Sequence, residues 1–150
     1  MSRVVVIGLG IFGSSLTKKP YEAGIEVIVI DKNKEAVQEI KGFCSKAILA
    51  DGSVKDVLEL IGIEEDDKVV VSFGEDLTAS MLPTLHLRQL KVKDIIVKAP
   101  NEEHKIVLET VGASNIIIPK KQMAEKVAKS IISPNVFNYL PVSGDYVIGE

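Results

Sequence analysis

Four apolar residues, Val4-Val5-Val6-Ile7, run directly into Gly8-Leu9-Gly10-Ile11-Phe12-Gly13, and this junction constrains the fold more than anything else in the chain. A second apolar run, Val27-Ile28-Val29-Ile30, ends in the carboxylate of Asp31, about twenty residues past the glycines. Each part has a task in a strand–turn–helix–strand unit. Gly8 permits a tight turn, Gly10 lets a pyrophosphate approach the backbone, and Gly13 lets the helix pack against the strand. The N–H groups of the helix starting near Ile11 then face the phosphates. Asp31 stands where a carboxylate can accept the hydroxyls of an adenine ribose. A G-x-G-x-x-G string alone is weak, because glycine-rich turns are common. Placed between a strand pattern and an acid-tipped second strand, it specifies nucleotide binding.

The rest of the chain repeats the same unit. Strand-like runs recur at Val4–Ile7, Val27–Ile30, Ala47–Leu49, Val69–Phe73, Ile95–Lys98 and Ile116–Ile118. Amphipathic stretches follow them at Ile11–Ala23, Lys34–Gly42, Val54–Ile61, Leu77–Leu90, Glu102–Val111 and Lys120–Ile132. Short β-branched runs without alternation suit strands covered on both faces. The pattern predicts an α/β, Rossmann-like doubly wound parallel sheet of six strands, in the order 3-2-1-4-5-6 with helices on both faces. The cleft should lie at the C-terminal strand ends, between strands one and four. Residues 1–132 form the expected nucleotide-binding domain, and 133–150 an extension that makes a subunit contact or begins a further lobe. Within that extension Val136, Phe137, Tyr139, Leu140 and Val142 are too apolar for a solvated tail. They fold back on their own sheet or cross to a partner.

Composition narrows the function. At 46% apolar and 26% charged the chain is an ordinary globular one, and its net charge of -3 argues against nucleic-acid binding. Its apolar runs are strand-length, too short to span a membrane as helices. The lone Cys44 excludes an internal disulfide and a cysteine-rich metal site, and a cytoplasmic location is expected. Two prolines strain the helices. Pro20 should bend a last turn before Gly24, and Pro83 should kink its helix or mark a later start.

Several residues border the expected cleft. Asp51, before Gly52 and Ser53, meets the adenine or ribose side, or else caps the next helix or forms a turn. Glu75 and Asp76 read as helix N-terminal acids. Lys98, ending strand five, reaches toward a phosphate or into solvent. A dehydrogenase would need a substrate pocket and a proton donor, and the six units consume the chain to about Ile132. His86 and His104 have no obvious acidic orienter and read as packing or surface residues. Tyr21, Tyr139 and Tyr146 have no lysine four positions on, so the Tyr-x-x-x-Lys pair is absent. The expectation is a chain that is not an enzyme, with no metal site. A nicotinamide-dependent oxidoreductase fragment or stand-alone redox sensor is the alternative.

The chain resembles the nucleotide-binding lobe of the regulators of potassium conductance, the RCK or KTN (TrkA-N) domains of Trk- and Ktr-type potassium uptake systems. The resemblance is carried by Gly8-Leu9-Gly10-Ile11-Phe12-Gly13, Asp31, Ala50-Asp51-Gly52-Ser53, Ser72-Phe73-Gly74, Val97-Lys98-Ala99-Pro100-Asn101, His104 through Gly112-Ala113, and Ile118-Pro119-Lys120-Lys121-Gln122-Met123-Ala124. It implies a dimer, then an octameric ring on the cytoplasmic face of a membrane potassium channel or transporter, with nucleotide exchange gating the pore. It implies NAD, NADH, ATP, ADP or AMP as ligand. By position, Gly8, Gly10, Ile11, Phe12 and Gly13 would line the phosphates, and Asp31 and Lys32 would flank the ribose. Asp51 and Gly52 would take the adenine side. Ser72, Phe73 and Gly74 would border the cleft, and Lys98 would face the phosphate end. Two positions depart from the pattern. Ile11 stands where many members have an arginine that meets a terminal phosphate, and Lys120 stands where others have a glutamate near a divalent cation. Members often carry a second, smaller C-terminal lobe.

Overall fold

A computed structural model describes residues 2–133, together with the backbone of two short strands at Pro141–Val142 and Tyr146–Val147. The chain divides into two compact units, Met1–Ile117 and Ile118–Glu150.

The first unit contains six parallel strands: β1 (Val4–Ile7), β2 (Val27–Asp31), β3 (Lys46–Leu49), β4 (Lys68–Val71), β5 (Asp94–Lys98) and β6 (Asn115–Ile117). They pair in the order β3-β2-β1-β4-β5-β6, as the alternation predicted. Val5 sits opposite Ile28 on one side and Val69 on the other, so the valine runs stack across the middle of the sheet. Val5, Val6, Ile7, Val27, Val29, Ile30, Val69, Val71 and Val97 are buried. At roughly 1.5–3 kcal/mol for each large side chain, this central slab supplies a large share of the hydrophobic drive.

Five α-helices, α1 (Gly10–Glu22), α2 (Lys34–Ile40), α3 (Lys55–Ile61), α4 (Leu77–Gln89) and α5 (Glu102–Val111), and a 3-10 turn at Lys41–Phe43 complete the unit. α1 and α2 lie with the β1–β3 half, and α3 to α5 group together, giving a helical layer on each face. Strand four is shorter than its apolar run, which extended to Phe73. The Ser72 amide donates to the Ile7 carbonyl at 2.8 Å, and the chain beyond Ile7 then turns away through Gly8. Phe73 has no strand left to pair with.

The prolines are accommodated without ending either helix early. Pro20 occupies the last turn of α1. Its carbonyl accepts from the Ile25 amide at 3.0 Å, and the Tyr21 carbonyl accepts from Gly24 at 3.0 Å, closing a Schellman turn. Pro83 lies buried inside α4, which already begins at Leu77. The later start is therefore not what forms, because the Asp76 carboxylate caps the helix by accepting from the Ala79 amide at 3.1 Å.

The second unit holds α6 (Pro119–Ile132), opened by a proline that needs no donor there, and an antiparallel pair, β7 (Pro141–Val142) with β8 (Tyr146–Val147). The apolar side chains expected to form a contact, from Val136 to Val142, lie outside the described residues. Among the described residues, no helix is long and apolar enough to cross a membrane.

Candidate functional site

All the cleft residues read from the sequence fall along one edge of the sheet, where its parallel strands end. Gly8 to Gly13 follow β1, Asp31 and Lys32 end β2, Asp51 and Gly52 follow β3, Ser72 to Gly74 follow β4, and Lys98 ends β5.

The glycine turn is tightly built. Gly8 has φ +89°, and a Cβ there would lie 2.6 Å from the Ser72 carbonyl oxygen. A Cβ on Gly13 would collide with the Gly8 carbonyl, so α1 crosses the end of β1 at backbone distance. Gly10 differs from both. Its φ is +62°, and a Cβ would meet nothing within 4 Å, so its backbone faces open space. Gly52 is also a close-approach residue, because any side chain would run into Cγ2 of Ile7.

The start of α1 is bare. Leu9 precedes it without a capping side chain, and no acid lies in the first turn. Three other helices are closed: Asn33, Asp76 and Asn101 cap α2, α4 and α5 by accepting from backbone amides. Uncapped amide donors and the positive end of the helix dipole at α1 therefore face outward beside Gly10. Nearby, the buried Ser72 Oγ has no hydrogen-bond partner among the described residues. These features fit an anionic ligand carrying phosphates. Ile11 projects at 90% exposure and offers such a ligand no charge.

Asp31 does more than its sequence position showed. Its Oδ2 accepts from the Leu9 amide at 2.8 Å and its Oδ1 from the Asn33 amide at 2.8 Å. The carboxylate thus ties the glycine turn to the end of β2, and each oxygen keeps a further lone pair for a ribose hydroxyl. Asp51 resolves as a turn former. Its Oδ1 accepts from the Ser53 amide at 3.0 Å and the Ser53 hydroxyl at 2.7 Å, whereas the N-cap position of α3 is Val54, which supplies no side-chain cap. These bonds, with Lys32 nearby, hold the Asp51 carboxyl below the usual aspartate range.

Sequence reasoning missed one contact and one groove. The Lys98 ammonium lies over the Phe12 ring, 5.8 Å from its centroid. A lateral groove of about 420 Å³ also opens between α1 and α2, bordered by Gly10, Ile11, Ser14, Lys18 and Glu39. His86 Nδ1 is buried in α4 with no hydrogen-bond partner among the described residues. Among the described residues no group of three or more His, Cys, Asp or Glu could hold a metal.

Sheet order, glycine turn and acid-tipped β2 together define a Rossmann-like α/β domain of the nucleotide-binding type. Residues 4–119 match the TrkA-N domain family, and the chain belongs to it. The Ktr system potassium uptake protein C of Bacillus subtilis (strain 168) is 40% identical over 145 residues, which is 97% of this chain and 66% of that protein. The chain thus spans just under two thirds of the relative's length. In fold it is similar to the TrkA-N domain of the inner membrane protein ybaL from Escherichia coli, with TM-score 0.75 and 17% identity, covering 85% of this chain and 95% of that one. It is also similar to the GsuK channel bound to NAD, with TM-score 0.66 and 14% identity over 77% of this chain and 21% of that one.

Proposed function

We propose that the chain is a cytoplasmic, nucleotide-sensing regulatory domain for potassium transport, one that binds an adenine nucleotide and transmits its presence to a membrane channel or transporter subunit. The observation that carries this reading is the bare start of α1 beside the open Gly10 backbone, with Asp31 fixed at the end of the neighbouring strand. Kinship with a potassium uptake protein, and likeness to a channel solved with NAD, support both halves of the reading.

In this reading the α1 amides receive the phosphates, and Gly10 lets them come within hydrogen-bond distance of the backbone. Asp31 accepts from the ribose hydroxyls and repels a 2′-phosphate. Lys32, Asp51 and Gly52 border the adenine end. Ser72, Phe73 and Gly74 form the opposite wall, and Lys98 adds positive charge at the phosphate end. NAD, NADH, ATP, ADP and AMP all present the adenosine ribose. The ligand is sensed rather than consumed in this reading, since no base or nucleophile stands out beside the cleft among the described residues. Self-association into dimers and an octameric ring would let nucleotide exchange change the ring's shape and gate the partner's pore. Residues 133–150 would serve a subunit contact or lead into a further lobe.

Calorimetric titration with the five nucleotides, with sedimentation alongside, tests the reading. At least one should bind and shift the assembly state, and NADP should bind much more weakly than NAD. No binding by any of the five would overturn it. Sustained turnover of NADH with carbonyl acceptors, or of ATP with magnesium, would establish an enzyme instead.

A further inference from the structure

Lys98 leaves the end of β5, and β5 is two strands away from β1 in the sheet. At about 4.8 Å between neighbouring strands, its backbone stands roughly 10 Å to the side of the glycine turn. A lysine at a strand end normally extends into water, because its four-carbon stem is flexible and its ammonium strongly hydrated. Here the side chain is half-buried, and its ammonium rests 5.8 Å from the centre of the Phe12 ring. That distance lies within the roughly 6 Å over which a ring face attracts a cation. The ion pairs found among the described residues involve Arg3, Lys68 and Lys93, and none of them engages Lys98. Phe12 itself lies in the first turn of α1, the turn whose amides have no cap.

We propose that Phe12 is a positioning residue whose ring face holds the Lys98 ammonium beside the bare start of α1, so that one full positive charge is already in place for a ligand's phosphates. This rests on the nucleotide reading of the cleft. An aliphatic side chain at position 12 would fill similar space but leave the lysine to wander into solvent. The effect is therefore specific to phosphate-bearing ligands and passes entirely through Lys98. A second lysine–phenylalanine pair, Lys18 over Phe43 at 4.7 Å, provides an internal control, since Phe43 lies away from the strand ends that border the cleft.

A double-mutant cycle read by calorimetry tests the proposal, with ADP and adenosine as probes. Lys98→Met and Phe12→Leu should each weaken ADP binding by about three- to tenfold and leave adenosine unchanged. In the Lys98→Met background, Phe12→Leu should add less than about twofold. Phe12→Tyr should retain wild-type affinity, and Phe43→Leu should change nothing. Circular dichroism checks folding, and Phe12→Met replaces the leucine variant if that one does not fold. Fully additive losses, or an equal loss for adenosine, would show that the ring acts by packing and overturn the proposal while leaving the nucleotide reading standing. A wild-type chain that binds neither probe nor any of the other adenine nucleotides would remove both.

Discussion

The two ends of the sheet are made of different chemistry. At the N-terminal strand ends, Arg3 grips the buried Asp67 through two bonds, Nε to Oδ1 at 3.0 Å and Nη2 to Oδ2 at 2.7 Å. The same guanidinium donates to the Gly62 carbonyl at 2.9 Å, and Asp67 also accepts from the Glu64 amide at 2.8 Å. The Asp67 carboxylate raises the Arg3 pKa further. Lys68 pairs with Asp94 at 3.0 Å and Lys93 with Asp66 at 3.6 Å, both in the open, where such pairs contribute little. A cavity of about 550 Å³ lies among these groups, larger than the α1–α2 groove, yet many of the charges lining it answer one another. At the C-terminal ends the reverse holds. Glycines replace side chains, the α1 amides have no side-chain cap, and the Ser72 hydroxyl has no partner among the described residues. One end ties its charged groups to one another, whereas the other sets carboxylates that brace the turns, Asp31 and Asp51, beside backbone donors left uncapped. Cavity size alone favours the N-terminal end, whereas the uncapped donors are the observation behind the site proposed at the other.

The contrast can be broken by substitution at either end. Arg3→Ala leaves the Asp67 carboxylate buried and unpaired, and loss of a buried partner costs about 3–5 kcal/mol. Urea denaturation should show that loss, with nucleotide affinity unchanged in the protein that remains folded. A loss below about 1 kcal/mol would mean the lower end is no knot. Asp31→Ala should weaken NAD or ATP binding by roughly ten- to a hundredfold, from the loss of about 1.5–3 kcal/mol of charge-assisted hydrogen bonding. Because Asp31 also holds the Leu9 and Asn33 amides, this variant should lose stability as well. Calorimetry and denaturation on the same preparation separate the two effects. Equal affinity of the wild type for NAD and NADP would sink the ribose assignment.

Two smaller effects sharpen the comparison. Lys91 adopts φ +64° just after α4, a conformation that suits glycine. Lys91→Gly should therefore stabilise the fold by about 1 kcal/mol without touching binding, as a raised thermal midpoint would register. The smallest effect concerns Asp51. Its carboxyl titrates below the usual value in the folded chain, so its contribution is fully present above about pH 4 and fades as pH falls through the lower native value. Asp51→Asn should flatten that part of the acid-unfolding curve, because the variant lacks this small contribution at pH 7 and matches the wild type once Asp51 is protonated.

How far the sequence revealed all this depended on the range of each interaction. Periodicity exposed the six strands and their order, since runs such as Val27 to Ile30 are local and need burial on both faces. The placement of the candidate residues at one edge was legible because chain direction alone brings the ends of parallel strands together there. The end of β4 was not legible: Phe73 is as apolar as a strand residue, and the strand stops only because its neighbour turns at Gly8. Nor was the Arg3–Asp67 pair, whose members lie 64 positions apart. Asp31 was read for its ligand and not for its hold on Leu9, because a backbone amide has no sequence signature. Asp51 carried two local readings, turn and cap, and only the placement of Ser53 decided between them.

Leu9 has a mechanical consequence. Its side chain is buried among Val6, Val27, Val29, Ile40 and Cys44, while its amide is clasped by Asp31. The middle of the glycine turn is therefore bolted into the core from one side and tethered from the other. A turn held this way cannot remould itself around each visitor, and little of its freedom remains to be frozen when one arrives. On the proposed reading, whatever differs between two ligands would be felt beyond the turn, as a push on the stiff bodies to which it is fastened.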